Sequence, residues 1–374
     1  MTNILEVILW QFYNSQNIED LLFNKVLEKF YNLGIAGLVR ENIQNSLDAR
    51  LNSKDPVIVK IETGYIKRDD IPGAYEIIER IKCLKGHNSY TKETIEHMKN
   101  KMYQNEIAYI SFEDYNTKGL SGAKNGQSDS NKDTYGIYAY KKGVHSEDDD
   151  KNIEESRGGS HGLGKIANNA ASDLHIMLFA NCDEYGNKHL GGTIQLIEHK
   201  YKDKYYRSTG YFTDVKNVTD KITKFYPFEN NFGKVFSKDT RGLKIIIPFL
   251  REQFNNEKEI IKSVCNSFFV AILQKKLIVN VNGKNIDSEN IKRYVSDEEY
   301  YDQDISKLST EFTTLYLDTY NREPIDLKIK DMNKEYEFDL YFTYNDKIQK
   351  GRVAIVRTIG MKIEDKKIDN NATK

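Results

Sequence analysis

Cysteine is scarce in these 374 residues. Cys83, Cys182 and Cys265 stand far apart with no CxxC pair, which argues against a zinc knuckle or a disulfide framework. Charge of one sign is lacking as well. The 55 Lys and Arg offset 56 Asp and Glu to a formal −1, so the signature of a nucleic-acid coat is missing and any such contact would need a local patch. No apolar run approaches the roughly eighteen residues of a membrane span. The first thirty residues carry Glu6, Glu19 and Asp20, unlike a signal peptide. No internal repeat or low-complexity tract stands out. The histidines show no metal-ligand spacing: His87, His97, His145, His175, His189 and His199 read as surface or core residues, and His161 as part of a glycine-rich loop. Cys182 and Cys265 lie in apolar contexts and read as packing.

What is present suits a folded chain. Hydrophobic residues make up 39% and charged residues 30%, enough for a core and unlike a disordered tail. At roughly 150 residues per domain, the length suits two or three. The expectation is a soluble, cytosolic, two-domain protein.

Leu22, Val26, Leu27 and Phe30 recur at helical spacing over Glu19–Phe30. After a break at Asn32–Leu33–Gly34, a second helix is expected from about Ile35 to Asn52, closed by Pro56. Val57–Ile61 and Ile107–Phe112 read as strands. Residues 119–158 are rich in Gly, Ser, Asn and Lys and offer few core positions, the pattern of a functional loop. A short helix, Ile166–Ser172, leads to strands at Leu174–Phe179, Gly192–Ile197, Tyr205–Phe212 and Leu243–Phe249. A long helix follows at Glu257–Leu273, then a hairpin turning at Asn282–Gly283, and strands at Tyr336–Phe342 and Arg352–Val356. The pattern restarts near residue 250, where a domain boundary is expected. Helices before strands predict an α+β fold with a mixed sheet rather than regular βαβ winding.

Three segments carry chemistry. On the second helix Glu41, Asn45 and Asp48 fall within about 60° of one another, while Val39, Ile43 and Leu47 face the other way. Such a polar stripe is usually a solvated face. A Glu and an Asn one turn apart can also orient a water and complete the oxygen shell of Mg²⁺. Phe112–Gly119 follows a strand, so Asp114 is placed to meet a ligand's amino group, or simply to form a turn. Gly158–Lys165 leads into a helix, and its glycines let backbone N–H groups approach a phosphate beside a positive Lys165. Two other phosphate motifs overlap it and fail. Position 166 is Ile where a P-loop needs Ser or Thr, and neither a P-loop nor a dinucleotide fingerprint can follow the charged Glu147–Arg157, which is unsuited to a strand.

In order and spacing these segments together resemble the boxes of the GHKL (Bergerat-fold) ATPases, the group that includes DNA gyrase, MutL, the heat-shock chaperone of that fold, histidine kinases and the MORC proteins. Glu41–Ala49 looks like the first box, ExxxNSxDA; Asp114–Gly119 like the second, DxGxxG, with Asn116 in place of Gly; Gly159–Gly164 like the third, GxxGxG. A fourth element, Gly-Thr, would fall at Gly242–Leu243, where the Thr is missing unless Thr240 substitutes. The resemblance implies an α/β sandwich, a mixed sheet with helices on one face, over residues 1–250, with a nucleotide lid at 119–158. A smaller transducer-like (ribosomal S5-like) α/β domain would occupy 251–374. More loosely, the chain looks like the N-terminal part of bacterial ATP-binding proteins of defence or DNA-processing loci.

The resemblance also implies roles. Glu41 would be the general base, Asn45 a ligand of Mg²⁺, and Asp114 the acceptor for the adenine amino group of ATP. Asp48 and Ala49 would form the adenine-side wall. Gly119 would close the second box, and Gly159, Ser160, His161, Gly162, Leu163 and Gly164 would cradle phosphates, with Lys165 neutralising charge. A transducer-domain base, Lys362 or Arg357, would sense the γ-phosphate. ATP would drive lid closure and homodimerisation through the N-terminal segment, with slow hydrolysis reopening the clamp. Three alternatives stand beside this: an ATP-sensing scaffold without hydrolysis, a histidine-kinase-like phosphotransferase, and a DNA-binding protein using Lys200–Arg207. The kinase lacks its phospho-acceptor, since the first histidine is His87. The polar end, Asp369–Lys374, is expected to precede a missing effector domain or to leave the task to a partner protein.

Overall fold

These patterns combine, in a computed structural model, into an α+β protein. Described are residues 8–16, 21–141, 164–219, 222–304, 312–331, 334–346, 348 and 351–367. The chain divides into two units, Met1–Glu257 and Lys258–Lys374, so the division falls at the start of the long helix, a few residues after position 250.

In the first unit the elements are β1 (Trp10–Asn14), α1 (Lys25–Asp48), β2 (Val57–Lys67), α2 (Ala74–Lys82), α3 (Ser89–Lys101), β3 (Glu106–Tyr115), α4 (Thr134–Tyr140) and α5 (Ile166–Ala170). They continue with β4 (Ile176–Cys182), β5 (Lys188–Gln195), β6 (His199–Tyr201), β7 (Lys204–Phe212), β8 (Asp214–Thr219), β9 (Ile222–Tyr226), β10 (Phe228–Glu229) and β11 (Gly242–Pro248). Its sheet runs β1-β7-β5-β4-β11-β3-β2, with antiparallel pairing at each of these joins. Alternation along β4 puts Leu178 and Ala180 on one face and Phe179 on the other. Leu178 and Ala180 join an apolar cluster with Ile77 and Ile81 of α2 and Ile95 and Met98 of α3. Phe179 instead meets Tyr138 and Tyr135 of α4, with ring centroids 4.9 and 5.6 Å away.

Several expectations shift. The first helix begins at Lys25 rather than Glu19, because Asn24 accepts the Val26 N–H as N-cap. The break falls at Gly34, whose φ of 59° and ψ of −150° no helix can hold. The second segment ends at Asp48 rather than Asn52, because Arg50 leaves to bridge Thr117 and the Leu51 N–H bonds to the Asn116 carbonyl. Residues 119–141 are not bare loop: they hold α4, with Tyr135 fully buried. The rest of the expected lid, 142–158, lies outside the described residues.

The second unit contains α6 (Glu257–Leu273), β12 (Leu277–Val281), β13 (Lys284–Ile286), α7 (Ile291–Val295), α8 (Thr313–Tyr320), β14 (Ile325–Asp331), β15 (Lys334–Leu340), β16 (Arg352–Val356) and β17 (Lys362–Lys367). α6 buries Ile260, Ile261, Val264, Phe268, Phe269 and Ile272. β12 and β13 turn at Asn282–Gly283, both at positive φ (48° and 88°), as a tight hairpin needs. β14 pairs with β15 as a separate two-stranded ribbon, with Ile325 opposite Leu340, Leu327 opposite Phe338 and Ile329 opposite Tyr336.

Candidate nucleotide site

The second segment of α1 is amphipathic in the expected sense. Val39, Ile43 and Leu47 are buried, Asn45 is exposed, and Glu41, Asp48 and Ala49 are half-buried. Between the two faces lie buried polar side chains. Asn42 Nδ2 donates to Asn168 Oδ1 at 2.8 Å and to the Leu38 carbonyl at 2.9 Å. Ser46 Oγ lies 3.2 Å from Asp114 Oδ2 and 3.1 Å from the Asn42 carbonyl, sharing its one proton between them. Buried polar atoms need such partners, and here the partners come from distant segments.

Asp114 stands near the end of β3, buried on the same side of the sheet as Phe112 and Phe179, since Phe112, Ile245 and Phe179 lie opposite one another in register. Its Oδ1 accepts the Leu243 N–H at 2.7 Å and the Thr117 hydroxyl at 2.6 Å, while Oδ2 faces Ser46. Burial pushes the carboxyl above the usual range, opposed by these hydrogen bonds and by Lys238. Gly242 covers it closely, since a Cβ there would lie 2.5 Å from Asp114 Oδ1.

The turn after Asp114 is stitched to the end of α1. Lys118 N–H donates to the Ala49 carbonyl at 2.8 Å. Asn116 adopts φ 59°, which Asn tolerates better than most residues, and its side chain donates to the Asp55 and Pro56 carbonyls. Gly119 presses its backbone on the Cys182 carbonyl. Asn181 then clamps Leu120, accepting its N–H at 2.8 Å and donating to its carbonyl at 2.9 Å.

Of the third segment, Gly159, Ser160, His161, Gly162 and Leu163 lie outside the described residues. Gly164 meets the first segment directly: a Cβ there would overlap Glu41 Oε2. Lys165 Nζ donates to the Tyr138 and Lys141 carbonyls at 2.8 and 2.6 Å, so it caps the end of α4. Asn169 donates to the His175 and Thr193 carbonyls and ties α5 to the sheet.

Thr240 does not replace the missing Thr at Asp114, for its hydroxyl accepts from Lys238 Nζ at 2.8 Å. Lys238 is fully buried, 3.2 Å from Glu113 and 4.0 Å above the Tyr115 ring, beneath the opposite face of the sheet. Hydroxyl contact with the carboxylate comes instead from Ser46 and Thr117. Ser46 is the serine of the first box, to which no role was given, and Thr117 fills an unspecified position of the second, where the only sequence signal was a hydroxyl beside a residue that had to be buried. Asn181 had a clearer one, an amide in the apolar run Ile176–Cys182.

In the second unit, Lys362 Nζ lies 3.6 Å from Asp365 and 5.4 Å above the Tyr316 ring, and the Arg357 N–H bonds to the Met361 carbonyl across a turn. Among the described residues no group of three or more His, Cys, Asp or Glu gathers to hold a metal. The oxygen set at α1 suits a cation such as Mg²⁺, which takes few protein ligands and keeps several waters. Among the described residues no helix is long and apolar enough to cross a membrane. No protein-family model matches the chain, and a search of curated proteins finds no match.

Proposed function

We propose that this chain is a GHKL-type ATPase that binds ATP with Mg²⁺ and hydrolyses it slowly. One observation carries the reading: the polar motifs converge. Ser46 meets Asp114 from 68 residues away, Asn42 meets Asn168 from 126 residues away, and Glu41 packs on Gly164. Residues scattered for structural reasons alone would not gather a carboxylate, an exposed amide and a glycine approach at one end of one helix.

In this reading Asp114 accepts the adenine amino proton, with Oδ1 committed to Leu243 and Thr117 and Oδ2, which shares the Ser46 proton with the Asn42 carbonyl, meeting the base. Asp48 and Ala49 wall that side. Glu41 takes the proton from the attacking water, and the backbone at Gly164 holds the carboxylate side chain in place. Asn45 lends its amide oxygen to Mg²⁺, which when bound neutralises phosphate charge. Lys165 reaches a phosphate only by giving up the carbonyls at the end of α4, so nucleotide binding is coupled to that helix. Phosphoryl transfer asks chiefly for such positioning and charge. A cytosolic setting, N-terminal dimerisation on ATP, γ-phosphate sensing by Lys362, and service in bacterial defence or DNA processing rest on the family resemblance alone.

The test is Glu41→Ala, assayed for nucleotide binding and for phosphate release with Mg²⁺. ATP affinity is expected to persist while turnover falls by a factor of about 10²–10⁴, the usual contribution of a general base. Turnover at the wild-type rate would remove Glu41 from the mechanism.

A further inference from the structure

Over Ile325–Lys330 and Glu335–Leu340 the β14–β15 ribbon sorts its residues by face. One face carries Asp326, Lys328 and Lys330 opposite Asp339, Glu337 and Glu335, with ion pairs from Lys328 to Glu337 and from Lys330 to Glu335. The other carries Ile325, Leu327, Ile329, Tyr336, Phe338 and Leu340, with the opposed pair Asp331 and Lys334 next in the same register at its end. Phe342 and Tyr344 continue the alternation beyond β15. Leu327 is half-buried and the other seven are 39% to 80% exposed. Among the described residues neither strand pairs with any third strand. A lone two-stranded ribbon is marginal in water, and its apolar face needs a cover.

We propose that this face is an isologous interface, covered by the same face of a second copy of the chain. At about 200 Å² for a full aromatic side chain and somewhat less for Ile or Leu, the eight residues leave on the order of 800 Å² open. That exceeds the roughly 300–600 Å² of the largest apolar patch on an ordinary monomer. Doubled, it reaches the ~1,600 Å² of a standard stable interface. A two-fold contact requires a self-complementary surface, and an apolar face closed at one end by an opposed Asp331 and Lys334 meets that condition without any matching partner chemistry. A membrane surface is disfavoured, because the reverse face sets four acids against two lysines, where anionic lipid would call for a basic excess. The interface is separate from nucleotide-driven closure and exists without ATP.

Sedimentation velocity on the full chain at micromolar concentration, without nucleotide, reads this directly. The expected species has twice the 43.4 kDa of one chain. Phe342→Glu, beyond the paired strands, and Phe338→Glu, at their centre, should each weaken association by about 100-fold, as charging a central aromatic anchor does. Lys328→Ala, on the reverse face, should leave the dimer intact. Circular dichroism matching wild type shows that the variants are folded. A wild-type monomer would overturn the proposal, as would a dimer formed only with an ATP analogue, a dimer surviving Phe342→Glu, or a monomer that floats with anionic vesicles.

Discussion

Asp114→Asn separates recognition from folding, because the substitution keeps the shape of the side chain and changes only its charge and one donor. The Leu243 N–H at 2.7 Å fixes which way the amide turns: its oxygen must stay at the Oδ1 position, where Thr117 also donates. The new NH₂ then lies at Oδ2, where Ser46 can rotate its hydroxyl to accept. Folding therefore loses little, and relief of the buried charge works in its favour. Burial raises the carboxyl pKa, so the folded state holds its proton at higher pH than the unfolded state does. The stability this contributes is full below the unfolded value of about 3.9 and is lost as pH rises through the folded value. The mutant should thus gain on wild type as pH increases. Stability within about 1 kcal/mol corresponds to a Tm within ~4 °C.

ATP binding should respond quite differently. The adenine amino group would meet a donor instead of a carboxylate. That forfeits a charge-assisted hydrogen bond of ~1.5–3 kcal/mol and leaves a buried donor unpaired at ~1–3 kcal/mol. Together about 2.5–6 kcal/mol, this weakens Kd by on the order of 100-fold or more. Isothermal titration calorimetry with ATP, beside a thermal melt, gives both quantities. Unchanged ATP affinity would refute the adenine role, and a Tm lowered by well over ~4 °C would make Asp114 a structural residue first.

The remaining predictions are simpler. Gly164→Ala drives a methyl into the Glu41 carboxylate. That carboxylate is the far end of a flexible side chain and can swing aside, so stability should change little while phosphate release falls more than ATP binding; wild-type turnover in this variant would mean that the position of Glu41 does not matter to the reaction. Acid should destabilise the first unit through two buried histidines. Burial pulls His175 down to about 3 and His199 to about 4, so the unfolded state binds more protons below the ordinary value near 6.5. Each therefore removes about 2 kcal/mol by pH 5, lowering Tm by on the order of 10 °C relative to pH 7. His175→Gln should flatten that slope, and an unaltered pH profile would count against the assignment.

Much of the site could be read from residue order because its parts are local. Val39, Ile43 and Leu47 recur on one side of a helix whatever surrounds them, Gly34 breaks it by its own φ, and Asn116 turns because Asn can. What could not be read depends on contacts across the fold. β1 is five residues, Trp10–Asn14, and is a strand only because β7 lies beside it. α3 turns just Thr91, Ile95 and Met98 inward from thirteen residues, too thin a stripe to stand out from its polar neighbours. α4 sits in a Gly- and Ser-rich stretch and is held by Phe179, some forty positions away. Ser46 and Thr117 acquire meaning only when Asp114 is brought between them.

The amide bond between Asn42 and Asn168 bears on how such a sequence can drift. Changing Asn42 alone to Leu strands the Asn168 amide oxygen, at ~1–3 kcal/mol, whereas Asn168→Leu alone leaves Asn42 its bond to the Leu38 carbonyl, and changing both restores an apolar contact. Position 42 is therefore permitted to change only when 168 changes with it. Across descendants of one ancestor an exchange at 42 should be accompanied by one at 168, while solvent-facing Asn45 stands outside this buried pair. A correlated exchange at 42 and 168, set against independent constancy at 45, would separate what the fold demands of this helix from what its chemistry demands.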